Sequence, residues 1–173
     1  FFDSNSTGSF ELYAHNITVK DSTFTATGDA KHTAVAMRIR QGFDITVKNS
    51  TADSMHSVVQ AYGNAGLTVD TVTVTNGKNG VSAGTSTGAV VKNNTMTTNG
   101  YGIRADGTGA YDMIVEDCTI DADMPIVIRE NTGAYQLTVN GSNSFTAKNE
   151  GGYQVIFTNG DDGEYVVPTG AYV

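Results

Sequence analysis

The stretch ITVKNSTA at residues 45–52 decides the fold, because the chain repeats it with variations. It returns as ITVKDSTF at 17–24, LTVDTVTV at 67–74, AVVKNNTM at 89–96, MIVEDCTI at 113–120 and LTVNGSNSF at 137–145. The reference valines Val19, Val47, Val69, Val91, Val115 and Val139 are separated by 28, 22, 22, 24 and 24 residues. Self-similarity at such a period marks a chain that coils, each turn stacked on the last. Two residues before each valine stand Ile17, Ile45, Leu67, Ala89, Met113 and Leu137, with mostly threonine between. Apolar, polar, apolar is the rhythm of a strand with one buried face. Lys20, Lys48, Asp70, Lys92, Glu116 and Asn140 follow the valines and are expected in water. The next column, Asp21, Asn49, Thr71, Asn93, Asp117 and Gly141, is mostly Asx or Gly. Those residue types predict a bend through the left-handed region.

A second short strand follows the bend, with Phe24, Ala52, Val74, Met96, Ile120 and Phe145 inward. The last of these carries one inserted residue. A third strand is expected at 11–14, 35–39, 58–61, 80–83, 102–105, 125–128 and 154–157. Three strands and three bends per turn describe an all-β, single-stranded, right-handed parallel β-helix of about six to seven coils, a rod roughly 30 Å long at the ~4.8 Å strand spacing. The repeat phrase is expected on one sheet and the Thr-rich strands on the next. The 173 residues form one domain. The chain opens Phe1-Phe2-Asp3, and neither end reads as a polar cap, so it is expected to be a piece of a longer protein with end-to-end or oligomeric contacts.

The phrases ITVKNST, VVKNNT and IVEDCT resemble the right-handed β-helix repeats of the pectate-lyase-like superfamily. The resemblance runs from about Phe10 to Phe157. It implies the architecture, and a range of roles that includes polysaccharide lyases, glycoside hydrolases, epimerases, tailspikes, adhesins and binding modules. Fold does not choose among these.

Composition narrows the field. A formal net charge of -8 argues against a nucleic-acid partner, which needs a concentrated basic surface. No apolar run approaches a membrane span, so membrane insertion is not expected. Cys118 is the single cysteine, which excludes an intrachain disulfide. It falls in the column of small inward residues with Ser22 and Ser50, and so reads as packing.

Three surfaces are candidates for chemistry. The polar face of the third strand carries Arg38 (or Arg40), Gln60, Ser82, Arg104 and Arg129, with Tyr13, Tyr62 and Tyr101 nearby, and His32 and His56 in the bends feeding it. Guanidinium forks grip carboxylates and hydroxyls, and aromatic rings stack on apolar sugar faces. Arg38, Gln60, Tyr62, Tyr101 and Arg104 are therefore the expected ligand-binding residues, for a polysaccharide or glycan. The same face also reads as an ordinary solvated sheet. The second surface is acidic: Asp106, Asp112, Glu116, Asp117, Asp121 and Asp123. Lyases of the superfamily commonly combine an Arg or Lys base with Ca²⁺, which implies Ca²⁺ as a possible cofactor here, with Asp121 and Asp123 as its ligands. The third is the row Thr23, Thr51, Thr73, Thr95 and Thr119, beside a second row of Thr25, Thr75 and Thr97 broken by Asp53 and Asp121. Such Thr-x-Thr arrays are similar to ice-binding faces, although threonine is also simply a good outward strand residue.

Short bends leave little material for the walls of a deep cleft. The expectation is a non-catalytic β-helix segment of a secreted or cell-surface bacterial protein, a rigid scaffold or shallow carbohydrate-binding surface. A polysaccharide lyase or related enzyme is the first alternative, and an ice-binding protein the second.

Overall fold

The computed structural model describes residues 14–106, 111–129 and 135–158. Tyr13 and most of the expected strand at 11–14 lie outside them, as does the side chain of Asp106. All strand pairings among the described residues are parallel. Their one helical segment is a 3-10 turn at Gly28–Ala30. That turn lies within the long first repeat, between Val19 and Val47, and takes up its extra residues ahead of the strand Val35–Arg40.

The valines stack as the repeat requires. Val19 pairs with Val47, Val47 with Val69, Val69 with Val91, Val91 with Val115, and Val115 with Val139. Val47, Val69, Val91 and Val115 are each 0% exposed, whereas Val139 on the last described rung is 44% exposed. The second inward column is equally regular: Phe24, Ala52, Val74, Met96, Ile120 and Phe145 follow one another rung by rung. Residue identity drifts along each column while the inner rungs stay buried, because every inward position there faces the same dry axis; burial falls only at the end rungs.

The bend between the two strands uses the left-handed region in every repeat. Asp21, Asn49, Thr71, Asn93, Asp117 and Gly141 have φ of 52°, 49°, 54°, 54°, 51° and 72°. Asx and Gly reach that region at little cost; a β-branched threonine does not. One expectation needs correcting here. The repeat phrase and the Thr-rich strand do not form separate sheets but belong to one 10-stranded sheet. Thr46–Asp53 and Thr68–Gly77 run unbroken through the bend, with Lys48 opposite Asp70 and Ser50 opposite Val72 on its two sides. A single left-handed residue turns the chain without releasing the ladder on either side of it.

Just inside that bend runs a polar column. Ser50, Asn94 and Cys118 are buried at 1%, 1% and 0% exposure. The Val72 amide donates to Asn94 Oδ1 at 2.7 Å, Asn94 Nδ2 donates to the Val69 carbonyl at 3.0 Å, and the Cys118 amide donates to Asn143 Oδ1 at 2.9 Å. These side chains satisfy backbone groups that the bend removes from regular pairing. The insertion in the last repeat places Asn143, not Ser142, beside Cys118.

The third face is a six-stranded sheet of Val35–Arg40, Ser57–Tyr62, Val81–Gly84, Tyr101–Asp106, Met124–Arg129 and Val155–Thr158. Met37, Ile39, Val59, Ala61, Val81, Ala83, Ile103 and Ala105 point into the core and are buried. Alternation sends the residues between them outward, and this sets the candidate site.

Candidate functional site

On the outward side of this sheet Arg38 pairs with Gln60, Gln60 with Ser82 and Ser82 with Arg104. Four expected residues thus occupy one line across four rungs. The line continues into Val127 and Ile156, so its polar part ends at Arg104. Gln60 is 8% exposed and Ser82 0% exposed, although both project away from the core. The Ser82 hydroxyl has no hydrogen-bond partner. A buried hydroxyl left in that state costs about 1–3 kcal/mol.

Side chains from neighbouring rungs knit this line together. Arg38 Nη2 donates to Gln60 Oε1 at 3.1 Å. That contact turns the Gln60 amide nitrogen toward His56 Nδ1, 3.3 Å away. An amide NH₂ only donates, so Nδ1 must accept, and the ring carries its hydrogen on Nε2. The Ser57 hydroxyl lies 3.0 Å from the same nitrogen and donates to it as well. The Arg104 guanidinium carbon sits 4.9 Å from the centroid of the Tyr101 ring, within cation–π range. Tyr101 is 6% exposed.

The electrostatics agree with a neutral imidazole. His56 is held below its ordinary pKa, first by burial and then by the positive charges of Lys78, Arg104 and Arg38. Lys78 was not among the residues expected here. Its signal was available, because it sits 22 residues after His56, one short repeat away. The structure stacks their bends: the Lys78 amide donates to the Met55 carbonyl, and the next amide, of Asn79, to that of His56.

Tyr62, expected near the line, and Arg129, expected on it, both lie two residues along. Tyr62 pairs with Arg40 on one side and Gly84 on the other, two residues along the sheet from the Arg38 line. Arg129 lies opposite Asp106 and Thr158, not opposite Arg104. Tyr62 instead borders a shallow cavity of about 370 Å³ with Arg40, Gln41, Gly63 and Thr85. Gln41, Gly63 and Thr85 line the cavity on left-handed backbone, with φ of 53°, 64° and 48°. The Gly63 amide donates to Thr85 Oγ1 at 2.8 Å and joins two of these bends. His32 lies in the bend before Val35–Arg40, where its amide donates to the Ser54 carbonyl at 2.8 Å.

The carboxylates are dispersed as stitches between rungs. Asp112 accepts from the Gly88 amide at 2.6 Å, and Asp117 from the Ser142 amide at 2.7 Å. Asp121 pairs with Lys148 at 3.0 Å, while the Asp123 carbonyl accepts from Asn149 Nδ2 at 2.7 Å. Asp53 accepts from Asn76 and Thr75, both at 2.9 Å, and these bonds lower its pKa. Among the described residues no three His, Cys, Asp or Glu side chains are grouped to hold a metal ion. The expected pair Asp121 and Asp123 therefore has no third such ligand there.

The threonine row is continuous: Thr23, Thr51, Thr73, Thr95 and Thr119 pair in sequence, and all five are exposed. In the neighbouring row Asp53 stands between Thr25 and Thr75, and Asp121 between Thr97 and Thr146. No helix among the described residues is long and apolar enough to cross a membrane.

Residues 33–151 match the family described as right handed beta helix region. No curated protein and no solved structure matches the chain.

Proposed function

This chain belongs to the right-handed β-helix family, and on that premise we propose that it is a rigid, non-catalytic segment of a secreted or cell-surface protein whose six-stranded sheet binds carbohydrate. The observation that carries this reading is the register of Arg38, Gln60, Ser82 and Arg104 on one outward line. Arginine heads and a glutamine amide at strand spacing match the hydroxyls and charged groups of an extended chain laid along the rod. The Tyr62 ring, which borders the shallow cavity, supplies an apolar platform for a sugar face two residues along the sheet. Rigidity comes from parallel pairing on every rung, so the ligand meets a face that is already ordered.

Binding to a panel of polysaccharides tests the reading. Arg38→Ala and Arg104→Ala are each expected to weaken retention by about tenfold, as loss of a charge-assisted hydrogen bond does. Unchanged retention in both variants removes the face from consideration. Incubation with uronate polymers and Ca²⁺ distinguishes a lyase, since steady formation of unsaturated products contradicts a non-catalytic role. The unbroken, exposed row from Thr23 to Thr119 supports a second reading, adsorption to ice. An ice-recrystallisation assay of the native chain and Thr73→Lys decides it. Inhibition that this variant abolishes supports it, and no inhibition by the native chain rejects it.

A further inference from the structure

We propose that Arg40, Gln41, Tyr62 and Thr85 line a preformed subsite for one pyranose unit of a saccharide, set beside the arginine line rather than on it. The inference rests on the carbohydrate reading for the class of ligand and adds where a single sugar ring is held.

Shape is the first ground. These four residues and Gly63 border the cavity of about 370 Å³. That volume lies at the small end of ligand sites, room for one ring rather than a run of them. Arg40 and Tyr62 are paired on adjacent rungs of the six-stranded sheet. Gln41, Gly63 and Thr85 are the bend residues that directly follow three successive strands of it, Val35–Arg40, Ser57–Tyr62 and Val81–Gly84. The cavity therefore lies where the sheet passes into its bends, and both contribute side chains to it.

Chemistry is the second. A sugar ring offers an apolar face and a rim of hydroxyls. The half-buried Tyr62 supplies an aromatic ring for the face. A guanidinium presents five N–H donors, so Arg40 can serve a ligand alongside a neighbour. Thr85 Oγ1 accepts from the Gly63 amide at 2.8 Å, which fixes the oxygen and leaves the hydroxyl hydrogen to donate. One ring with a few polar groups around it is the usual make-up of a site that orients a small polar ligand.

The backbone is the third. Gln41 and Thr85 hold φ of 53° and 48°. Neither residue type favours the left-handed region, and a β-branched threonine is poorly suited to it. The bends within the valine phrase mostly place Asp, Asn or Gly there. Strain of this kind persists where the surroundings over-determine it, and it gathers at ligand sites. On the rung between these two stands Gly63, at φ 64°. A Cβ at Gly63 would lie 3.7 Å from Gln41 Cγ, with no other atom within 4 Å, so crowding does not require glycine. An Asn would suit the bend equally and would place a side chain between Gln41 and Thr85. The glycine instead leaves that space open between two polar residues held at a backbone cost.

Titration with the methyl glycosides of glucose, galactose, mannose and glucuronic acid, followed by the Tyr62 ring resonances, tests this beside polysaccharide retention. The expected result is saturable binding of at least one glycoside. Tyr62→Ala and Gly63→Asn should each weaken it about tenfold. Thr85→Asn should weaken it while raising the urea midpoint, because Asn relieves the bend and the Gly63 amide keeps the Gly84 carbonyl as acceptor. A raised midpoint with unchanged affinity makes Thr85 structural and overturns its place in the subsite. Absence of saturation with all four glycosides overturns the subsite whatever the sheet retains. Polysaccharide retention that falls in Arg38→Ala but not in Tyr62→Ala or Gly63→Asn overturns the subsite and leaves the carbohydrate reading standing. Glycoside saturation lost in Gly63→Asn, with no polysaccharide retained, supports the subsite and removes the arginine line.

Discussion

Thr71 is the residue that departs most clearly from its column. It holds φ at 54°, where the other repeats place Asp, Asn or Gly, and its hydroxyl donates to Asp70 Oδ1 at 2.9 Å. Left-handed backbone costs an ordinary L-residue about 1–2 kcal/mol, and asparagine tolerates it best among non-glycine residues. Thr71→Asn is therefore expected to stabilise the protein by about 1 kcal/mol, read as a higher urea midpoint at unchanged slope. Asn94 presents the opposite case. It satisfies the Val72 amide and the Val69 carbonyl from a buried position. Asn94→Ala strands both groups and should cost about 2 kcal/mol. Cys118 is 0% exposed, and burial pushes its thiol pKa up. It should react with thiol reagents only on unfolding, and modification at the rate of a free thiol in the native state would contradict the packing described.

At the scale of strands and bends, burial sets the energetics. Leu67 is fully buried in the column between Ile45 and Ala89. Leu67→Ala should cost about 2–5 kcal/mol, checked by denaturant unfolding. The bend at His56 makes the protein sensitive to acid. Its pKa in the folded state lies below the ordinary value of 6.5, so between the two values the unfolded chain binds the proton and the folded one does not. Stability from this source is whole above pH 6.5 and is lost as pH falls from there through the lowered value. His56→Gln should flatten that part of the stability–pH curve.

The valine phrase was legible in the sequence because a strand with one dry face has to repeat its pattern in every coil. The left-handed bend was legible because Asx and Gly mark it. The phase of the third strand was less so. Its outward residues Arg38, Gln60, Ser82 and Arg104 could be placed by spacing alone, and Tyr62 follows Gln60 by two on the same strand, but Arg129 fell two residues beyond the line, since bends of unequal length feed this sheet. The union of two strands into one sheet was hidden because the bend residue looks like a break in sequence and is not one in pairing. The His56–Gln60–Arg38 relay depends on side-chain direction, which repeat spacing does not encode.

For the whole molecule, every proposed face depends on one parallel, in-register stack. A solenoid built this way has contacts mainly between neighbouring turns, so a displaced register would misalign the arginine line, the cavity at Tyr62 and the threonine row together. Cysteine cross-linking measures the register directly. Thr51 and Thr73 are exposed partners on adjacent rungs, whereas Thr75 pairs with Asp53. Parallel neighbours about 4.8 Å apart satisfy the spacing of a disulfide. Thr51→Cys with Thr73→Cys should therefore oxidise readily to an intramolecular disulfide, detected by mass spectrometry, while Thr51→Cys with Thr75→Cys should not. Oxidation of the second pair and not the first, or of neither, would contradict the stacked register.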